Sequence, residues 1–99
     1  MELKKTVTGT EAVIAIEGRL DTMTAPKLES EIKETVKDAE RLVLDFEALE
    51  YISSAGLRVL LAAQKAMNAK KGAMVVRNVN EAVKEVFEIT GFNEVLTIE

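Results

Sequence analysis

Short apolar runs separated by amphipathic stretches define the predicted elements of this chain. The runs AVIAIEG (12–18), RLVLDF (41–46) and AMVVRN (73–78) are nearly continuous in apolar residues, which is typical of buried strands. Loose alternation over 2–8 predicts an edge strand, and NEVLTIE (93–99) predicts a final short strand. Between these runs, apolar residues recur at helical spacing, which predicts helices with one face on a sheet.

Capping residues mark where the helices begin and end. Thr24 is expected to cap a first helix that has Pro26 in its first turn. From Ser54 onward, SAGLRVLLAAQKAMNAKKG predicts a second helix with Gly72 at its C-terminal end. Asn80 is expected to cap the third, EAVKEVFEITG. The inner stripe of the second helix is expected to consist of Leu57, Leu60, Leu61, Gln64 and Met67.

Strands that alternate with helices place the chain in the α/β class. The order β-β-α-β-α-β-α-β predicts a mixed, mostly parallel sheet of about five strands with three main helices and right-handed crossovers. The first two strands are joined by a tight turn at residues 9–11, so the first should be an antiparallel edge. We expect a single domain over residues 1–99, since this length suits one hydrophobic core.

Cysteine and histidine are both absent from the chain. Without cysteine there is no disulfide, no thiolate nucleophile and no cysteine metal site. Histidine is the commonest general base near neutral pH and the commonest metal ligand, so its absence removes many hydrolase and metalloenzyme mechanisms. The remaining carboxylates and lysines form no convincing catalytic set. We therefore expect a protein that is not an enzyme and that has neither a metal nor a cofactor.

Charge and hydropathy bear on the partners and the compartment. The formal net charge of −4 argues against nucleic acid as a partner, because nucleic-acid-binding proteins normally present a basic face. The dense basic cluster at residues 65–71 is explained by the dipole at the end of a helix. No apolar stretch approaches the ~20 residues of a membrane span. Together with the lack of cysteine, this favours a cytoplasmic protein with no membrane partner.

Two polar loops follow strands that are expected to be neighbours. GRLDTMTAP follows the second strand and EALEYISSAG follows the third. The carboxyl ends of parallel strands share one edge of an open α/β sheet, where such folds place their sites. We therefore expect Asp21 and Thr22 to lie near Ser53 and Ser54.

Catalysis by one of these serines is not supported by the motif. A serine nucleophile needs a base within hydrogen-bond reach, and Asp21 alone is a weak one. ISSAGL is not the Gly-x-Ser-x-Gly elbow of hydrolases, and its single glycine does not make a phosphate-binding loop. From spacing alone the simpler interpretation is capping, in which one serine caps the helix and the other shapes the turn.

Three segments carry a resemblance to a known family. The segments are DFEALEYISSAGLRVLL, GRLDTMTAP and EAVKEVFEITGF. Their order and spacing are similar to those of the motifs in bacterial anti-sigma factor antagonists of the STAS domain family. The resemblance covers nearly the whole chain. It implies a protein that binds an anti-sigma factor and thereby releases a sigma factor for transcription. That anti-sigma factor would also be a serine kinase of the histidine-kinase-like ATPase fold, and a serine phosphatase would reset the cycle.

The resemblance also implies a site. The phosphate acceptor in the family's Asp-Ser-x-Gly-Leu motif corresponds to Ser54. The aspartate position is Ser53 here, which removes a negative charge beside the acceptor and adds a hydroxyl that could compete for phosphate. Gly56 is expected to allow close approach of a partner, because it has no side chain. The expected docking surface consists of Asp21, Thr22, Ser53, Ser54, Gly56, Leu57 and Arg58.

A phosphate at the start of a helix is compatible with an intact fold. It adds about −1.5 to −2 charges at neutral pH, which the free N–H groups and the dipole of the helix favour. The modification should therefore act at the surface, with Ser53 supporting the turn and Ser54 carrying the switch. The alternative keeps the fold without the switch. Ser54 would then be a cap on a constitutive docking subunit of a transporter or multi-protein signalling complex.

Overall fold

Five strands and four helices make up the computed structural model, which describes all residues 1–99. The α/β class and the mixed five-stranded sheet are confirmed, with a fourth short helix in addition to the three main ones. In chain order the elements are β1 (Glu2–Thr8), β2 (Glu11–Leu20), α1 (Ala25–Val36), β3 (Arg41–Asp45), β4 (Leu49–Ile52), α2 (Ser54–Ala69), β5 (Ala73–Arg77), α3 (Glu81–Thr90) and α4 (Phe92–Val95).

Strand β2 organises the sheet. It pairs antiparallel with β1, as predicted for the edge, and parallel with β3, which in turn pairs parallel with β5. Residues 11–15 of β2 pair with β3, and residues 18–20 pair with β4. The sequence pattern did not predict β4, because residues 47–52 were expected to form a connection to the second helix. The order is therefore β-β-α-β-β-α-β-α-α instead of the predicted alternation.

The core lies between the sheet and the helices. Alternate residues of β2 point into it, so Ala12, Ile14 and Ile16 are almost fully buried. Of the predicted inner stripe of α2, only Leu61 is half-buried, and the other members are buried. No helix in the protein combines the length and the apolar character needed to cross a bilayer.

Two helix ends confirm the predicted caps. The Asn80 Oδ1 atom accepts a hydrogen bond from the Val83 N–H at 2.8 Å and caps α3. The Asn80 side-chain amide also donates to the Leu49 carbonyl oxygen at 2.8 Å, which ties α3 to β4. Gly91 ends α3 in the left-handed conformation, with φ of 79°.

Two other helix ends differ from the prediction. Thr24 occupies the N-cap position of α1, but its side chain accepts no hydrogen bond from the N–H groups of the first turn of that helix. At the end of α2 the left-handed residue is Lys71, with φ of 61°, and not Gly72. Gly72 is required for a different reason, since a Cβ atom there would lie 2.8 Å from the Glu40 carbonyl oxygen.

The predicted final strand is also wrong. Residues 92–95 form the short helix α4, and only Ile98 makes an isolated parallel bridge, to Val76 of β5. The apolar residues of this segment still contribute to the core, since Leu96 is buried.

Candidate functional site

The ends of β2 and β4 bring the two polar loops together. Leu20 pairs with Ile52, and the Ser53 N–H donates to the Leu20 carbonyl oxygen at 2.9 Å. Asp21 and Ser53 therefore leave two hydrogen-bonded strands side by side. The two loops lie side by side, as predicted. The strand that places the second loop there is β4, and the sequence pattern had predicted that it would be β3.

Ser53 is the cap of helix α2. Its backbone is extended, with φ of −99° and ψ of 175°, and its Oγ atom accepts from the Gly56 N–H at 3.3 Å. Its carbonyl oxygen accepts from the Leu57 N–H at 3.0 Å. One side chain thus satisfies a free N–H group of the first turn, which is what a capping serine does.

Ser54 is the first residue of α2 and is exposed. Its side chain forms no hydrogen bond within the chain, since Ser53 already supplies the cap. The alternative in which Ser54 caps the helix is therefore wrong for this structure. Ser54 is therefore exposed to solvent at the start of α2, and no hydrogen bond within the chain involves its hydroxyl.

Asp21 shapes the loop between β2 and α1. Its Oδ1 atom accepts from the Met23 N–H at 3.0 Å and from the Thr24 N–H at 3.1 Å, and the Thr24 hydroxyl lies 3.2 Å away. These hydrogen bonds, above all that from the Thr24 backbone, hold the pKa of Asp21 below its ordinary value of 3.8. The Arg19 charge acts in the same direction. Asp21 therefore remains a carboxylate at neutral pH, beside the start of α2.

Thr24 has a structural role in the same loop. Its Oγ1 atom accepts from the Asp21 N–H at 2.9 Å and donates to the Arg19 carbonyl oxygen at 2.8 Å. This reciprocal pairing of Asp21 and Thr24 replaces the simple cap expected from the sequence, and it fixes the loop beside Ser53.

An open depression lies between the first turns of α1 and α2. Thr22 and Arg58 are both exposed on its rim. Arg58 takes part in none of the six ion pairs of the chain and in no side-chain hydrogen bond. The residues that line the depression are Thr22, Ala25, Pro26, Glu29, Ala55, Arg58 and Val59.

Gly56 and Leu57 lie beneath this surface and not on it. Both are buried, and Leu57 is only 6% exposed. A Cβ atom on Gly56 would lie 2.7 Å from Leu20 Cγ and 2.9 Å from Ile52 Cγ1. The close approach that Gly56 allows is therefore between α2 and the strands beneath it. The expectation that it makes room for a partner is corrected.

Two features near the serines were missed from the sequence. Met23 is 87% exposed at the tip of the loop, although methionine is usually buried. The Arg19 guanidinium lies 4.2 Å from the centroid of the Tyr51 ring, a cation–π contact across β2 and β4. No periodic pattern marks Met23, and the Arg19–Tyr51 contact depends on β4, which was not predicted.

Known proteins share both the sequence pattern and the fold. The STAS domain sequence model matches residues 2–99. BtrV of Bordetella bronchiseptica, named as an anti-sigma factor antagonist, is 38% identical over 87 residues, or 87% of this chain and 75% of BtrV.

Solved structures give the same result for the fold. The anti-sigma factor antagonist SpoIIAA in its unphosphorylated form has a TM-score of 0.85 at 21% identity, over 99% of this chain and 88% of SpoIIAA. The phosphorylated form of SpoIIAA, a Bacillus cell fate determinant, has a TM-score of 0.78 at 20% identity, over 99% of this chain and 91% of SpoIIAA. This chain therefore belongs to the STAS domain family, and its resemblance to the anti-sigma factor antagonists of that family is confirmed.

Proposed function

We propose that this protein is an anti-sigma factor antagonist that is switched off by phosphorylation of Ser54. Its partner is an anti-sigma factor that is also a serine kinase of the histidine-kinase-like ATPase fold. Binding to that partner releases a sigma factor, and a serine phosphatase restores the active form. The partner docks on the Ser54 surface, which we define as Asp21, Thr22, Ser53, Ser54 and Arg58.

The observation that carries the proposal is that Ser53 caps α2 and Ser54 does not. Ser53 accepts the hydrogen bond that caps α2, so the fold does not depend on the Ser54 hydroxyl. The Ser54 side chain is exposed at the start of a regular helix. Transfer of the γ-phosphoryl group of ATP to its Oγ atom releases ADP and gives up the hydroxyl proton to the base of the kinase.

The phosphate would change docking and not folding. Its negative charge lies at the positive end of the α2 dipole, where anions are stabilised. The Asp21 carboxylate already contributes negative charge to the same surface at neutral pH, and its pKa is lowered further by hydrogen bonds, above all that from the Thr24 backbone. Like charges brought together across an interface cost several kcal/mol, so an acidic docking surface on the partner would be repelled.

Gly56 and Leu57 support this surface from below. They belonged to the docking set expected from the sequence, but both are buried. Gly56 lets the first turn of α2 lie close to Leu20 and Ile52, and Leu57 belongs to the buried core cluster.

Phosphate transfer is the direct test of this function. The protein is incubated with ATP and each candidate kinase-type anti-sigma factor from the same genome, and intact mass and site mapping follow. We expect one added phosphate on Ser54 in the wild type and none in the Ser54→Ala variant.

Ser53→Ala is the matched control, because it removes the neighbouring hydroxyl and keeps the acceptor. It should still take one phosphate at Ser54, with reduced stability from the lost cap of about 0.5–2 kcal/mol. Phosphate mapped to Ser53 would contradict the assignment. A stable complex that forms without any phosphate transfer would favour a constitutive docking subunit instead.

A further inference from the structure

Helix α2 has an unusual distribution of charge. Its sixteen residues include two cations, Arg58 and Lys65, and no acidic side chain, and its first turn carries no acid. Arg58 lies in the second turn, one turn beyond the helix end where the dipole favours anions. No acidic side chain of α2 is available to pair with it.

Arg58 also has no ion-pair partner in the elements around α2. Arg58 is exposed and forms no ion pair. Glu29 is the one carboxylate that lines the same depression, and it pairs with Lys33 at 3.6 Å. The guanidinium is therefore a cation without an ion-pair partner in the unmodified protein.

Helical geometry places this cation over Ser54. Arg58 is four residues after Ser54, so their side chains lie one above the other on the same face of α2. Helical side chains lean toward the N-terminus, so Arg58 covers the turn that begins at Ser54. An acidic group that precedes a basic group by four residues is the more stabilising orientation of such a pair.

We propose that Arg58 binds the phosphate of phosphorylated Ser54 within the same chain. This inference rests on the proposed function, since it concerns the modified form of the same site. A guanidinium can donate two parallel hydrogen bonds to phosphate oxygens, which a point charge cannot match. The pair gives this unpaired cation a partner once Ser54 is phosphorylated.

The pair would also enlarge the effect of the modification on the Ser54 surface. In the unmodified protein, Arg58 is free to contact an acidic group of the partner. In the modified protein the phosphate occupies it, so the surface gains a dianion and loses an available guanidinium together. The phosphate is at the same time held against the helix and kept from other contacts.

A test that needs no kinase keeps this inference separate from the proposed function. Phosphoserine is installed at position 54 during translation, and its phosphorus NMR signal is titrated with pH. Arg58 favours the dianion, so Arg58→Gln should move the titration midpoint to higher pH, by about 0.3 pH unit. The titration midpoint of Arg58→Lys should lie between those of the wild type and Arg58→Gln, because lysine keeps the charge without the paired hydrogen bonds.

The control variant is Lys65→Gln, which removes one exposed cation from the same helix two turns further on. Its midpoint should match that of the wild type. An Arg58→Gln midpoint equal to that of Lys65→Gln would overturn the inference. That result would leave phosphorylation by a partner kinase intact, whereas a failure of every kinase to modify Ser54 would leave the intramolecular pair intact.

Discussion

At the scale of single residues, the two adjacent serines have different roles. Serine is a good helix cap, so the pair Ser53 and Ser54 could predict a cap without deciding which serine provides it. The backbone decides, because Ser53 is extended and Ser54 is already helical. The resemblance to the family motif pointed to Ser54 as the acceptor, and the structure supports this by leaving its hydroxyl free of hydrogen bonds.

Asp21 gives a prediction at the same scale. Its pKa is lowered in the folded protein, so it stabilises the fold above about pH 4, and this contribution is lost as the pH falls through its folded-state pKa. Asp21→Asn keeps the oxygen that accepts from the Met23 and Thr24 N–H groups but removes the charge. The variant should be less stable than the wild type at pH 7.

Urea unfolding at pH 7 and at about pH 3 measures this difference. We expect the gap in the free energy of unfolding between wild type and Asp21→Asn to narrow as the pH is lowered. A gap that stays the same at both pH values would show that the Asp21 charge does not stabilise the loop.

At the scale of elements, β4 and the first turn of α2 hold the site in place. The sequence did not predict β4 because it has only four residues, two of them exposed, and pairs with just three residues of β2. The segment that contains β4, residues 47–52, therefore has too few apolar residues in succession to indicate a strand. The predicted neighbourhood of the loops was nevertheless found, since β3 and β4 run in succession beside β2.

Gly56 tests the contact between these elements. Gly56→Ala adds a methyl group within 3 Å of Leu20 and Ile52, which are 0% and 3% exposed. Overpacking of this kind costs about 1–3 kcal/mol, and the better helix propensity of alanine returns about 1 kcal/mol. We expect a net loss of roughly 0–2 kcal/mol in the free energy of unfolding.

A double variant separates packing from other causes. In the Leu20→Ala background the two Leu20 atoms nearest to the new methyl group are gone and the contact with Ile52 Cγ1 remains, so Gly56→Ala should cost less there than in the wild type. Equal costs in both backgrounds, measured by chemical denaturation, would mean that Gly56 does not pack against Leu20.

At the scale of the whole molecule, a single core supports the Ser54 surface. The core cluster of 23 buried residues joins the sheet to all three longer helices, and no part of it requires the Ser54 side chain. SpoIIAA retains a fold similar to this one in both its unphosphorylated and phosphorylated forms. Phosphorylation of Ser54 is therefore expected to leave this architecture intact and to change the charge of the surface.

Much of this architecture could be predicted from the sequence. Apolar runs located β2, β3 and β5, and loose alternation located β1. Asn80 and Gly91 marked α3 correctly, because these signals are local. The burial of Gly56 depends on packing against Leu20 of β2, which lies far away in the chain, and periodicity does not encode that contact. The left-handed Lys71 and the helix at 92–95 are held by local hydrogen bonds, such as those from the Gly72 N–H to the Met67 carbonyl oxygen and from the Leu96 N–H to the Phe92 carbonyl oxygen, and the spacing of apolar residues does not mark them.

The affinity of the partner for the two forms of the protein is the most direct measurement. Calorimetry should compare unmodified protein with protein carrying phosphoserine at position 54, using the kinase-type anti-sigma factor that modifies it, without ATP. We expect the phosphorylated form to bind at least tenfold more weakly, a difference of about 1.4 kcal/mol or more. Equal affinity of the two forms would contradict the proposal that phosphorylation of Ser54 controls docking.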